Sequence, residues 1–154
     1  MVDQFADLQI LRYQVPGFES LSLKQKQLLY HLSQAALMGR DIFFDQNCRY
    51  NLPVRRALET VYKEYKGNRE DEQFKALETY LKRVWFSSGI HHHYAEDKFV
   101  PGFTPEFFQS CLEQVNVSEL PLREGQTLEQ FVAEISPVIF EIGRAHVRTP
   151  VTDM

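Results

Sequence analysis

The chain of 154 residues has only two cysteines, Cys48 and Cys111, and they form no CxxC motif. Their spacing therefore indicates neither a metal site nor a redox site. A disulfide between them is one reading of the sequence. Two buried, unpaired thiols are the favoured reading, because a free cysteine commonly packs as a small apolar side chain.

Long apolar runs and basic blocks are also missing. No apolar run is long enough to cross a bilayer, and no signal peptide opens the chain, so we expect a soluble protein. The 17 lysines and arginines are interspersed with 21 acidic residues, for a net charge of −4. Because no basic block is available to neutralise phosphates, nucleic acid is excluded as a partner.

The common hydrolase motifs are missing as well. The sequence has no HExxH motif, no HxxxH pair with an adjoining Glu, and no nucleophile elbow. Ser87 and Ser88 lie near His91, which superficially suggests a nucleophile and its base. Ser-Ser-Gly is more simply the end of a helix. From the residues alone we therefore expect no catalytic residue.

What the sequence does contain is a globular composition, with 44% hydrophobic residues, and five apolar patterns at helical spacing. They predict one mainly α domain in which short connections make the helices antiparallel neighbours. The first helix begins at the capping box of Ser22 and Gln25 and is expected to continue through Gly39, at a close helix contact, to about Phe44. Its apolar stripe is Leu28, Leu32, Ala35, Ile42 and Phe43.

The other four helices are predicted from caps and stop signals. Their expected limits are Asn51, as N-cap, to Gly67-Asn68; Phe74 to Gly89; Thr104-Pro105 to Val115; and the capping box of Thr127 and Gln130 to the residue before Pro137.

One strand is predicted near the N-terminus. The stretch Leu8–Val15 is rich in β-forming residues and ends at Pro16-Gly17. A single strand cannot satisfy its own backbone groups, and no second convincing strand follows nearby. We therefore expect it to pair with a segment outside this sequence or to lie extended over the helices.

The most unusual stretch is WFSSGIHHHYAEDKFVPGF, from Trp85 to Phe103. On a strand, His91 and His93 would share a face and could both bind zinc, with Glu96 or Asp97 as the third ligand. A small zinc protein is thus one hypothesis. A polar loop that lines a surface or a cleft is the favoured interpretation, because nothing in the sequence brings the third ligand close.

Three long runs carry a resemblance to a known family. They are FADLQILRYQVPGFESLSLKQKQLLYHLSQAALMGRDI (Phe5–Ile42), YLKRVWFSSGIHHHY (Tyr80–Tyr94) and DKFVPGF (Asp97–Phe103). From Phe5 to Phe140 the chain resembles the N-terminal part of a bacterial dipeptidyl peptidase III. That family of zinc-dependent exopeptidases removes dipeptides from peptide N-termini.

The resemblance implies an incomplete enzyme. In the family, two His of a HExxxH-type helix and a later Glu bind the zinc, and none of these residues occurs in this chain. Residues 1–140 are then an inactive N-terminal fragment of a two-lobed α+β metallopeptidase, with neither catalytic residues nor metal ligands of its own. Zinc belongs to the parent enzyme, peptide and the remainder of the parent chain are the partners, and Leu8–Val15 joins a β-barrel of the lower lobe.

The resemblance also implies a set of substrate contacts. The family's counterpart of Gly89–Phe103 lies towards the cleft between the lobes. The residues expected to contact peptide substrate are His91, His92, His93, Tyr94, Lys98 and Phe99. The alternative function is a stand-alone helical binding module that uses the same His-rich loop.

The last residues do not resemble the rest of the chain. Glu141–Thr152, EIGRAHVRTPVT, resembles the translation of a common short-read sequencing adapter, with Arg148 where the adapter has a stop. We therefore expect residues 141–154 to be an artefactual tail and the native sequence to break off near Phe140. No role is assigned to Arg144 or His146.

Overall fold

The computed structural model describes residues 2–95 and 97–141, which form two compact units that divide between Phe43 and Phe44. The chain is mainly helical with a small N-terminal sheet, which confirms the predicted fold class. No helix within these residues is both long and apolar enough to cross a membrane. The predicted tail lies outside the described residues from position 142 onwards. The elements are β1 (Asp3–Phe5), β2 (Leu8–Ile10), α1 (Leu23–Met38), α2 (Arg40–Asn47), α3 (Asn51–Glu64), α4 (Glu72–Ser87), α5 (Pro105–Gln114) and α6 (Leu128–Phe140), with short 3-10 helices at Phe18–Ser20 and Val117–Glu119.

The N-terminal strand has a partner within the chain. β1 and β2 pair antiparallel, with Asp3 opposite Ile10 and Phe5 opposite Leu8. The expectation of an unpaired strand reaching Val15 is therefore wrong, because the partner precedes the strand and pairing ends at Ile10. Ala6 occupies the turn with a φ of 49°, a conformation for which glycine or asparagine is the usual signal, so the hairpin was hard to recognise.

α1 begins at the predicted capping box but ends earlier than predicted. The Gln25 amide donates to Ser22 Oγ at 3.4 Å, and the Ser22 amide donates to Gln25 Oε1 at 2.9 Å. The helix ends at Met38, and α2 starts at Arg40, so the prediction of an uninterrupted helix through Gly39 is wrong. Within the described residues a Cβ at Gly39 would meet only carbonyl oxygens of α1, so no packing against another helix offsets the weak helix propensity of glycine here.

The apolar stripe predicted for the first helix is not covered. No side chain of α1 is buried, and Leu28 and Leu32 are 58% and 56% exposed. Amphipathic helices normally bury such a stripe. Other large hydrophobic side chains exposed in the first unit are Val2, Leu11, Tyr13, Val15, Phe18, Leu23, Leu29, Tyr30, Leu37, Met38, Ile42 and Phe43.

The second unit is built around α3, which contacts α4, α5 and α6. Its Thr60 hydroxyl also donates to the Glu119 carbonyl at 3.1 Å, which fixes the turn after α5. The helices meet in one apolar cluster, so this unit has a core of its own. Core side chains include Val54, Leu58, Val61, Leu77, Leu81, Val84, Phe108, Leu112, Phe131, Ile135 and Ile139.

α6 continues through Pro137 to Phe140, so the predicted stop before Pro137 is wrong. A proline inside a helix costs about 3 kcal/mol. Val138 and Ile139 are buried only if the helix continues. Burying each such side chain stabilises by about 1.5–3 kcal/mol, which is enough to offset the proline.

The remaining caps are mostly those predicted. Thr104 and Thr127 accept hydrogen bonds from the amides of the third helical residues, as expected. Asn51 is not an N-cap, because Tyr50 holds that position and Asn51 is the first residue of α3. α3 ends at Glu64 rather than at Gly67. α4 has Asp71 as its N-cap and ends at Ser87, and Ser88 in a left-handed conformation is its C-cap in place of the predicted Gly89.

Both cysteines are buried and unpaired, as the favoured reading predicted. Burial raises the pKa of the Cys48 thiol and raises the pKa of Cys111 to about 11. The two thiols are thus held in the protonated form and act as small apolar side chains.

Candidate functional site

The His-rich stretch forms a tight loop after α4. His91 and Lys98 form an isolated antiparallel bridge, and the His92 amide donates to the Asp97 carbonyl at 2.8 Å. Next to this pair, the Phe99 amide donates to the Ile90 carbonyl at 2.9 Å. These backbone hydrogen bonds join the two ends of the loop to each other, so the histidines lie on a loop whose ends are fixed.

Asn51 holds the base of this loop from the core side. It is fully buried, and its Oδ1 accepts a hydrogen bond from the Ile90 amide at 3.1 Å. Its Nδ2 donates to the Phe44 carbonyl at 3.0 Å. One side chain thus joins the end of α2, the start of α3 and the loop, and it satisfies two backbone groups that are buried from water.

Gly89 allows this close contact. A Cβ at position 89 would lie 2.8 Å from Asn51 Cγ and 2.9 Å from Oδ1, closer than real Cβ contacts come. The glycine is therefore needed for the approach of the loop backbone to the amide, rather than as the stop of the helix. Sequence reasoning missed the role of Asn51, because its partner amide lies 39 positions away.

His92 and His93 form a stacked pair of imidazoles. Their ring centroids are 4.4 Å apart and their planes meet at 26°. The Tyr94 amide donates to His92 Nδ1 at 3.2 Å, which leaves Nε2 as the protonated nitrogen of the neutral ring. His93 Nδ1 lies 3.4 Å from the Ser87 hydroxyl. The local bonds therefore orient both rings.

Two aromatic residues complete this group. The Tyr94 ring lies 4.2 Å from the His93 ring, and Phe86 meets His93 edge-on at 5.0 Å. Tyr94 is 89% exposed, and Phe86 is also exposed. We call these four residues, His92, His93, Tyr94 and Phe86, the histidine cluster. It offers imidazole nitrogens and aromatic faces to solvent on one side of the loop.

The other predicted contact residues hold the loop in place. The Lys98 ammonium donates to the Glu141 carbonyl at 2.6 Å, and burial lowers the pKa of Lys98. Phe99 is only 8% exposed, and the Arg83 guanidinium lies 5.3 Å from its ring. His91 is half-buried in the bridge. The structure thus brings His92, His93 and Tyr94 together at the surface and turns Lys98 and Phe99 towards the protein.

The cluster has the groups for binding but not the arrangement of a catalytic triad. Ser87 is buried, and among the described residues the rings that pack on His93 are aromatic, whereas a triad needs an acidic group that orients the base. No three His, Cys, Asp or Glu side chains of the described residues are gathered as metal ligands.

The chain matches no protein-family model and no curated protein. The geometry of the histidine cluster and the resemblance of its sequence therefore carry the functional inference.

Proposed function

We propose that this chain is the N-terminal segment of a dipeptidyl peptidase III-like zinc exopeptidase, and that its histidine cluster contacts the peptide substrate. The observation that carries the proposal is the pre-oriented group of His92, His93 and Tyr94, in which His93 and Tyr94 are exposed and His92 is half-buried. It lies in Tyr80–Tyr94, one of the runs that resembles the family.

The chemistry of the cluster suits a peptide. With His92 Nδ1 accepting from the Tyr94 amide, Nε2 is left to donate to a peptide carbonyl. Tyr94 and Phe86 provide aromatic surface, which is favoured where binding needs an apolar face beside a polar group. Because Asn51 fixes the loop through its hydrogen bonds with the Ile90 amide and the Phe44 carbonyl, the loop would lose little conformational entropy on binding peptide.

The uncovered face of α1 supports the proposal of a longer parent chain. No side chain of this helix is buried, although its leucines recur at the spacing of a packed stripe. The remainder of the parent enzyme is the proposed cover. The HExxxH-type zinc ligands would also lie in that remainder, so the segment alone is expected to be inactive, since metal-assisted hydrolysis needs a fixed metal with a base beside its water.

A stand-alone helical binding module is the second candidate. The observation that favours it is the second unit, which has a core of its own made by α3 to α6. Such a unit could fold and bind peptide without any parent enzyme. Cooperative thermal unfolding of the purified chain, together with a native stop codon after residue 154 in independent clones, would favour this candidate over the first.

The binding part of the proposal can be tested by NMR with the 154-residue chain and tetra-alanine as the probe. We expect the imidazole signals of His92 and His93 to shift at millimolar peptide, while the signals of His31, an exposed histidine of α1, stay unchanged. In the native chain the peptide should also shift the ring signals of Tyr94. The double variant His92→Gln/His93→Gln should lose this Tyr94 shift, and the matched variant His31→Gln should keep it. Unchanged cluster signals in the native chain would refute peptide contact.

The second part concerns hydrolysis. We expect no release of naphthylamine from a dipeptidyl naphthylamide by the purified chain, with or without added zinc. Release that a chelator abolishes, and that His91→Gln/His93→Gln also abolishes, would contradict the proposal. It would mean that the loop histidines form a working metal site.

A further inference from the structure

A groove lies between α5 and α6, on elements that contribute nothing to the histidine cluster. It encloses about 840 Å³, which is within the range of ligand-binding clefts. Leu128, Val132 and Pro137 are half-buried on its floor, so the groove is a concave surface with an apolar floor. Its lining includes Glu106, Glu113, Leu128, Glu129, Val132 and Pro137.

The charge of this groove has one sign. Three exposed glutamates, Glu106, Glu113 and Glu129, lie along it, and no lysine or arginine is among the lining residues. Glu113 accepts a hydrogen bond from the Gln109 side-chain amide at 3.0 Å, which holds that carboxylate in place. An apolar floor with an acidic rim is complementary to an apolar segment that carries basic residues.

Pro137 adds a hydrogen-bond acceptor to the groove. It lies inside α6 and has no N–H, so the Ala133 carbonyl receives no helical hydrogen bond from position 137. Both residues line the groove. The polar groups added by the proline and the glutamates are thus all acceptors, which suits a ligand rich in donors, such as the side chains of lysine and arginine.

We propose that the α5–α6 groove binds a basic amphipathic helix of a protein partner. The apolar side chains of that helix pack on Leu128, Val132 and Pro137, and its lysines or arginines pair with the glutamates of the rim. This is a helix-in-groove mode of recognition. α5 has ten residues and is about 15 Å long, so the groove accommodates about three turns of the partner helix. The proposal does not depend on the function of the histidine cluster.

The test uses fluorescence anisotropy of a fluorescein-labelled helical peptide made of leucine and lysine, with the 154-residue chain. A peptide with glutamate in place of lysine is the control for charge. We expect the basic peptide to bind, more weakly as salt is raised, and the acidic peptide to bind at least about tenfold more weakly, since two or three rim pairs are replaced by like charges. Equal binding of the two peptides would overturn the proposal.

Matched variants locate the binding. Ala133→Trp should fill the groove and abolish binding, whereas Ser110→Trp, at an exposed position of α5 outside the lining, should leave it unchanged. Glu106→Gln/Glu129→Gln should weaken binding several-fold, and Glu119→Gln/Glu124→Gln should not. Binding that survives Ala133→Trp would overturn the proposal, as would self-association of the chain that Ala133→Trp disrupts, because a second copy would then occupy the groove. Circular dichroism of each variant separates lost binding from lost folding.

Discussion

Asn51→Ala is expected to destabilise the loop that carries the histidine cluster, because it removes the hydrogen bonds that hold the loop to the core. The substitution removes the acceptor of the Ile90 amide and one donor of the Phe44 carbonyl. A buried N–H left without a partner costs about 1–3 kcal/mol. The Phe44 carbonyl keeps the Cys48 amide as a donor at 3.4 Å, so its loss adds only about 0.5–1.5 kcal/mol.

Together these terms lower the free energy of unfolding of the second unit by about 2–4 kcal/mol. For a chain of this size the expected fall in the melting temperature is about 4–16 °C. The measurement is urea unfolding followed by the fluorescence of Trp85, the one tryptophan, which lies on α4 and donates to Glu59 at 2.7 Å. Asn47→Ala, at an exposed asparagine at the end of α2, is the matched control. A change below about 0.5 kcal/mol in Asn51→Ala would refute the reasoning, since that is the size of an ordinary surface substitution.

A double-mutant cycle with Gly89→Ala sharpens this test. In the native background the added Cβ meets the Asn51 side chain, so Gly89→Ala should destabilise. In the Asn51→Ala background that contact is gone, and the second substitution should cost less. A coupling free energy of about 1 kcal/mol or more is expected for residues in such contact. Simple additivity would show that Asn51 and Gly89 do not fit against each other as described.

Other perturbations test the core and the exposed helix. Tyr80 is buried, and its hydroxyl has no hydrogen-bond partner within the described residues. Tyr80→Phe should therefore raise the free energy of unfolding by about 1 kcal/mol, measured by urea unfolding. A lower free energy of unfolding in the variant would show that the hydroxyl is hydrogen-bonded. Cys111 has a pKa raised to about 11 from an ordinary value of 9.0, so at pH 9 iodoacetamide should react with it about fifty-fold more slowly in the native chain than in urea. Because the pKa of Cys111 is higher in the folded chain than in the unfolded chain, the buried thiol contributes its full stabilisation below pH 9 and loses it as the pH rises towards 11. A free energy of unfolding that does not fall between pH 9 and 11 would contradict the raised pKa. Leu32→Gln should change stability by less than about 0.5 kcal/mol, because Leu32 is 56% exposed, and a larger loss in circular dichroism melts would show that α1 is packed.

The helices could be predicted because their starts are local. Ser22, Thr104 and Thr127 each bond an amide within the next three residues, so spacing alone identifies them. Pro137 misled the prediction because its effect depends on whether the residues beyond it are buried, which is a tertiary property. Gly39 misled it in the opposite direction, since a Cβ there would meet only the carbonyl oxygens of Ala35 and Ala36 within the described residues, and not a neighbouring helix.

For the candidate site, the sequence predicts the segment of the chain but not which of its side chains face solvent. The histidine triplet and Tyr94 are visible in the sequence, and three of those residues lie together at the surface. Which residues point inwards depends on distant partners. Lys98 is fixed by a carbonyl 43 positions away, and the Ile90 amide is fixed by Asn51. Such long-range pairs leave no periodic signal in a single sequence, so sequence reasoning could not assign them.

The most direct measurement of the central proposal is to sequence the genomic DNA of the source past the codon for Phe140. A dipeptidyl peptidase III-like parent requires an open reading frame that continues beyond Phe140 in a different sequence from EIGRAHVRTPVT and encodes an HExxxH-type motif further on. A native frame that encodes residues 141–154 as they stand, then stops with no such motif, would contradict the proposal and leave the chain as a helical binding module.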